Sequence, residues 1–144
     1  MVFVGKQSDN HYRGAMAVEA ALVFPLLLLL TLGAIRYGGL FLKAQQITNA
    51  ARMGARIAVL PNSSIDDVQT AISNLMNSAN INPDDCIVTI TPAEIYDLDV
   101  GDSVTVHLEV PCESVDIMHV PLFTDLEPDN WNLGAEVTMA KEGY

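Results

Sequence analysis

The longest apolar stretch of the chain runs from Ala15 to Ile35 and contains a single charged residue, Glu19. As a helix it would be about 31 Å long, enough to cross the hydrocarbon core of a membrane. Its eleven Leu, Ile, Val and Phe residues favour insertion by about 5 kcal/mol, whereas a carboxylate at mid-bilayer opposes it by about 3 kcal/mol. The pattern therefore predicts a membrane-spanning helix.

The residues that flank this stretch indicate its orientation and its fate. Lys6 and Arg13 precede it, so the positive-inside rule places the N-terminus in the cytoplasm. The stretch is longer than the apolar region of a secretory signal peptide, and Arg36 follows it where such a peptide would have a small-residue cleavage site. Pro25 lies inside the span, where it is either a harmless kink or a functional bend.

Helix-forming residues continue beyond the span as far as Leu60, because residues 36–60 contain no proline and Pro61 ends the run. Within this extension, small residues recur at four-residue spacing and would let another backbone approach closely. They are Ala50, Gly54 and Ala58 in one row and Ala51 and Ala55 in the other. So long a helix cannot be covered by its own domain, and we expect it to pack against partners; the alternative is a membrane helix with a frayed extension.

After Pro61 the hydrophobic period predicts a small domain. Ser63 or Ser64 can cap a second helix, whose apolar positions recur at helical spacing from Ile65 to Ala79. The period then changes to two in three segments, near residues 86–91, 103–112 and 133–139. We therefore expect an α+β chain: a long N-terminal transmembrane helix extended beyond the membrane, then one helix packed on a three-stranded antiparallel sheet.

The two cysteines suggest a register for the first two strands. If Cys86 lies opposite Cys112, then Val88 faces Val110 and Ile90 faces Leu108, so that apolar residues meet across the strands. This register predicts a Cys86–Cys112 disulfide, which would stabilise the domain by about 3.5 kcal/mol. The alternative is two buried thiols.

Charge divides the chain at the same place as the hydrophobic pattern. Of the 144 residues, sixteen of the eighteen acidic ones and one of the seven basic ones follow Pro61, which gives that part a formal net charge of −15. A module this acidic would avoid nucleic acid and anionic lipid. The basic side chains of the first helix could attract the acidic module of another subunit.

No motif for catalysis is apparent. The histidines are isolated, and no metal-ligand cluster or glycine-rich phosphate loop occurs. We therefore expect no enzyme activity, no metal, no cofactor and no small-molecule substrate.

A specific resemblance begins at Arg13. A basic leader, a glycine, and a glutamate five residues later at the start of an apolar helix form the layout of type IV prepilins. Two runs resemble the TadE-like family of tight-adherence (Flp-type) pilus proteins. They are Arg13-Gly14-Ala15-Met16-Ala17-Val18-Glu19-Ala20-Ala21-Leu22-Val23-Phe24-Pro25-Leu26-Leu27-Leu28 and Ile47-Thr48-Asn49-Ala50-Ala51-Arg52-Met53-Gly54-Ala55-Arg56.

The resemblance implies a pilin-like fold, and it implies that the protein is cleaved and then assembled with other subunits. A prepilin peptidase would cut between Gly14 and Ala15, and the new amine of Ala15 would neutralise Glu19 within one chain or between packed chains. Glu19 and Pro25 are then the assembly residues. The domains would be a cytoplasmic leader (1–14), a transmembrane and assembly helix (15–60) and an acidic extracytoplasmic domain (61–144).

Two functions of different classes follow. The first is a minor pilin or pseudopilin, held in the inner membrane, with prepilin peptidase, other pilins, the pilus assembly platform and membrane lipid as partners. The second is a single-pass anchored binding module or adhesin that is not incorporated in a pilus, with the helix acting only as a tether.

Overall fold

The computed structural model describes residues 9–96, 98–116 and 131–141, so most of the leader predicted at residues 1–14 lies outside it. The described part has three α-helices, a short 3-10 helix (Pro83–Asp85) and three strands, which confirms the predicted α+β class. The α-helices are α1 (Asp9–Ala58), α2 (Ile65–Ser78) and α3 (Cys112–Val115), and the strands are β1 (Ile87–Thr91), β2 (Ser103–Pro111) and β3 (Asn132–Ala140).

The chain divides into two compact units, residues 1–35 and 36–144, and α1 contributes to both. The division therefore falls at the end of the apolar stretch and not at Pro61, where the composition of the chain changes. Residues 36–58 belong to the second unit because their side chains form part of its core.

In the first unit, the described side chains from Gly14 to Thr31 are all exposed. Among the described residues, one helix is long and apolar enough to cross a membrane, with a mean hydropathy of 2.3 over its best window. α1 continues through Pro25, which lacks the N–H that would bond to the carbonyl of Ala21. Apolar exposure of this kind requires lipid or neighbouring helices to cover it.

In the second unit, α2 is capped by one of the two serines that the sequence offered as candidates. Ser64 is the N-cap: its hydroxyl accepts a hydrogen bond from the N–H of Asp67 at 3.2 Å, and its own N–H donates to Asp67 Oδ2 at 2.9 Å. Two hydrogen bonds to the carboxylate lower the pKa of Asp67 below its ordinary 3.8. The bond from the Ser64 backbone N–H has the larger effect, and the bond from the Ser64 hydroxyl has the smaller one. Val68, Ile72 and Met76 form the buried face of this helix.

The sheet has the order β1-β2-β3, and both strand pairs are antiparallel. Burial alternates along the central strand: Val104, Val106, Leu108 and Val110 are buried, and the residues between them are partly exposed. Inward positions of β3, from Leu133 to Met139, are half-buried at the same period. Burial alternates along β1 as well, so the alternation predicted for all three strands is confirmed.

The predicted register of β1 and β2 is wrong by two residues. Val88 pairs with Leu108 and Ile90 with Val106, so each residue faces a partner two positions earlier than expected. A shift of two preserves the inward and outward faces, and for that reason the hydrophobic pattern did not distinguish the two registers.

The disulfide loses its main support with this register. Cys86 precedes β1, Cys112 begins α3, and the two are not joined in the structure. The Cys86 thiol instead donates to the carbonyl of Asn82 at 3.6 Å. Burial, and then the nearby charge of Asp85, raises the pKa of the Cys86 thiol, so its reactive thiolate is less populated near neutral pH.

The core of the second unit explains the small residues of α1. Ala50, Ala51, Ala55 and Ala58 are fully buried in one cluster with α2 and the central strand. A Cβ placed on Gly54 would lie 2.8 Å from Ile72 Cδ1 of α2. The close approach inferred from the four-residue spacing is therefore real, but it is made within the domain. The expectation that this part of the helix needs outside partners to be covered is corrected accordingly.

Candidate assembly site

Glu19 lies on the exposed surface of α1, one helical turn after Ala15 and one turn before Val23. It is surrounded in sequence by exposed apolar residues such as Met16 and Leu22. A carboxylate in this setting is costly in lipid unless a positive group neutralises it. Residues one turn apart lie on the same side of a helix. An amine at Ala15 would therefore lie on the same side as Glu19, where it could neutralise the carboxylate.

Pro25 lies six residues after Glu19 within the same helix. The carbonyl that its missing N–H leaves unbonded sits among exposed apolar side chains, where neighbouring helices or side chains must satisfy it. A role for Pro25 in assembly stays a prediction.

Arg36, the first residue of the second unit, is 2% exposed and forms a buried ion pair. Its Nη2 donates to Asp116 Oδ2 at 2.9 Å, and its Nε lies 3.2 and 3.3 Å from the two carboxylate oxygens. The planar guanidinium thus engages both oxygens, which fixes the segment after α3 against α1. Sequence reasoning missed this pair because the partners are 80 residues apart and neither belongs to a periodic pattern.

Lys43 is also used inside the domain. Its Nζ donates to the carbonyl of Ala79 and lies 3.4 Å from that of Asn80, where α2 ends. A cation at a helix C-terminus satisfies carbonyls that lack helical partners and interacts favourably with the helix dipole. Arg36 and Lys43 therefore have partners within their own domain and are not available to attract the acidic module of another subunit. Arg52 and Arg56 remain exposed on α1.

The outer face of the sheet is mostly polar. His107 lies between Thr89 and Glu136 in register, and its Nε2 is 3.8 Å from Glu109 Oε1. No group of three His, Cys, Asp or Glu side chains in the described part of the chain is arranged to hold a metal ion.

Comparison with known proteins finds a similarity in the first part of the chain. Residues 14–56 match the family model described as TadE-like protein. No curated protein and no solved structure gives a significant match. The TadE-like family is a structural, pilus-associated family, and residues 14–56 of this chain are similar to it. Together with the long apolar helix, this similarity indicates a membrane anchor followed by a C-terminal domain.

Proposed function

We propose that this protein, which carries a TadE-like segment at residues 14–56, is a minor pilin or pseudopilin in the assembly of a tight-adherence pilus. The observation that carries the proposal is where the match begins. It starts at Gly14, the last residue of the predicted leader, and extends over the helix that contains Glu19. A generic membrane tether would not require this combination of a glycine, a glutamate and an apolar helix.

Processing would proceed by hydrolysis of the Gly14–Ala15 peptide bond by a prepilin peptidase. Water adds across the bond, leaving a carboxylate on Gly14 and an ammonium group on Ala15. The apolar helix is retained, unlike in ordinary secretion. Exposure of Gly14, with no atom within 4 Å of the position a Cβ would take, supports access of the peptidase to this bond.

The protein would span the inner membrane once, with its N-terminus in the cytoplasm. Lys6 and Arg13 support this orientation through the positive-inside rule. The acidic domain would then lie outside, where its carboxylates stay solvated. Within the membrane, the ammonium group of Ala15 would neutralise Glu19 of the same chain or of a neighbour, so that Glu19 sets the register of packed helices.

The intact mass of protein extracted from membranes tests the proposal directly. We expect a mature chain that begins at Ala15 and has lost the first fourteen residues. Gly14→Val should keep the helix, since a Cβ at this exposed position has open space around it, but it should block the cut and preserve the full-length mass.

Gly38→Val is the matched control, because Gly38 is also an exposed glycine of α1 with open space where a Cβ would lie. This variant should be processed like the unmodified protein. Membrane-bound protein that still begins at Met1 would contradict the proposal and favour the anchored binding module. Recovery of only a soluble domain would contradict both.

A further inference from the structure

A groove lies in the second unit where the end of α1 meets the end of β3. Its volume of about 680 Å³ falls within the roughly 300–1,000 Å³ of typical binding pockets, which is enough for one or two protruding side chains. Five of the seven lining residues are apolar, and the other two are cationic. The lining residues are Arg56, Val59, Leu60, Pro61, Met139, Ala140 and Lys141.

The two cations of this groove have no carboxylate within ion-pair distance in the described ranges, unlike Arg36, which is paired with Asp116. They stand out in a domain where acids greatly exceed bases. The groove therefore combines apolar lining residues with a local positive charge, which suits a ligand that is both apolar and acidic.

A surface of the complementary kind lies on the connection between β1 and β2. Tyr96 and Val100 are 72% and 71% exposed, more than any other large hydrophobic residue described in the second unit. Exposed Glu94, Asp99 and Asp102 accompany them. These five residues are termed the acidic knob.

Backbone hydrogen bonds hold part of the acidic knob in place. The N–H of Gly101 donates to the carbonyl of Lys141 at 2.9 Å, and the N–H of Lys141 donates to the carbonyl of Asp102 at 2.8 Å. Gly101 has φ +99°, which lets the chain turn here. The knob and the groove are thus neighbours in one chain, yet the high exposure of Tyr96 and Val100 shows that the knob does not fill its own groove.

We propose that the Arg56 groove binds the acidic knob of a second copy of this chain. An apolar side chain of the knob, Tyr96 or Val100, packs against the apolar lining residues. The carboxylates of the knob then face Arg56 and Lys141. Charge complementarity selects this occupant, because the domain offers an acidic and apolar surface together with a basic and apolar one. The inference needs two copies anchored in one membrane and does not depend on pilus assembly.

The size of the contact determines how it acts. A single groove covers far less than the roughly 1,200 Å² buried in stable complexes, so the isolated contact is weak. Anchoring both copies in one membrane raises their effective concentration, and a weak contact then becomes populated. Since exposed charges contribute to it, added salt should weaken it.

Site-specific photo-crosslinking of the full chain in native membranes tests the contact. Leu60, which is exposed and lines the groove, is replaced by p-benzoylphenylalanine, and isotopically labelled and unlabelled copies are co-expressed. Cleavage at acidic residues followed by mass spectrometry should identify mixed-isotope crosslinks from position 60 to the acidic knob.

Charge variants decide whether the groove itself is responsible. Arg56→Glu in the crosslinking copy should lower the yield by about tenfold, because it places like charges together. Asp99→Arg in the other copy should restore it. Arg52→Glu is the matched control, since it makes the same change of charge one turn away at an exposed residue outside the lining, and it should have a much smaller effect.

Several results would overturn the proposal. Crosslinks confined to one isotope would mean contact within a chain, and crosslinks to lipid or to another surface would identify a different occupant. Absence of any crosslink, or equal losses in Arg52→Glu and Arg56→Glu, would remove the groove as a specific site. A positive result in protein that still begins at Met1 would support the contact while contradicting the proposed processing.

Discussion

Ser64 and Ser63 are adjacent and chemically identical, yet they serve different helices. Ser64 caps α2 through reciprocal hydrogen bonds with Asp67, whereas the Ser63 hydroxyl donates to the carbonyl of Leu60 at 2.8 Å, just after α1 ends. The sequence identified both as candidate caps, because either could precede the first helical turn. The choice between them depends on where the chain leaves α1, and this is settled by packing.

The cap of α2 predicts a pH-dependent stability. Ser64→Ala should lower the free energy of unfolding by about 1 kcal/mol at neutral pH, since an N–H at the helix start loses its acceptor. The pKa of Asp67 is lowered in the folded state, so its stabilising contribution is present above pH 3.8 and is lost as the pH falls through the folded pKa. The difference between the two proteins should therefore shrink in acid.

Urea unfolding of the full chain in detergent, between pH 7 and pH 3, measures this difference. Ser78→Ala is the control, because the Ser78 hydroxyl bonds to the carbonyl of Asn74 at 2.8 Å and to no carboxylate. Its effect should not vary with the ionisation of Asp67. An equal effect of Ser64→Ala at both ends of the pH range would contradict the coupling.

At the level of elements, α1 meets two environments along one helix. Its early residues expose large apolar side chains, whereas Leu40, Ile47 and the buried alanines lie in the core of the second unit. The alanines and Gly54 allow α2 to approach closely. The helix thus presents an exposed apolar surface in its first part and is a core element in its second.

Two glycines of α1 predict opposite effects of the same substitution. Gly54→Ala should lower the free energy of unfolding by about 1 kcal/mol. A Cβ 2.8 Å from Ile72 Cδ1 overpacks the interface at a cost of roughly 1–3 kcal/mol. The better helix propensity of alanine offsets about 1 kcal/mol of that cost. Gly38→Ala meets no atom within 4 Å and should raise it by up to about 1 kcal/mol.

A double-mutant cycle identifies the cause of the Gly54 effect. Ile72→Val removes the Cδ1 atom that the new Cβ would meet, so Gly54→Ala should cost less in that background. The measurement is urea unfolding of each single variant and of the pair. Additive effects would show that the Ile72 contact is not responsible.

On the scale of the whole molecule, charge and hydrophobicity are separated along the chain. The formal net charge is −11, and the acids are concentrated after Pro61. Among residues 15–35 only Glu19 is charged, so the role of this residue distinguishes an assembly helix from a tether.

Glu19→Ala should leave membrane insertion intact and abolish pilus assembly. Loss of the carboxylate removes an insertion cost of about 3 kcal/mol or less, but also removes the partner of the Ala15 ammonium group. Membrane fractionation reports insertion, and electron microscopy of pili on cells reports assembly. Leu22→Ala, on the same exposed helix and without a change of charge, should retain pili. Normal pili in Glu19→Ala would contradict the assembly role.

The amino-acid sequence by itself determined the two long helices and the three strands of this protein. The apolar run of 15–35, the capping serines and the change of period from helical to two are local features, and they predicted the three strands and both long helices correctly. Residues 14–56 also carried enough local pattern to indicate the TadE-like family. Local patterns suffice here because a helix or a strand follows from neighbouring residues and their exposure.

Only the tertiary structure decided which elements and side chains meet. It shifted the β1–β2 register by two residues, which leaves every inward residue inward and is therefore invisible to a pattern of period two. It also placed Asp116 on Arg36 and α2 on Gly54. These contacts join residues far apart in the chain, and they depend on how whole surfaces fit together, which no local periodicity encodes.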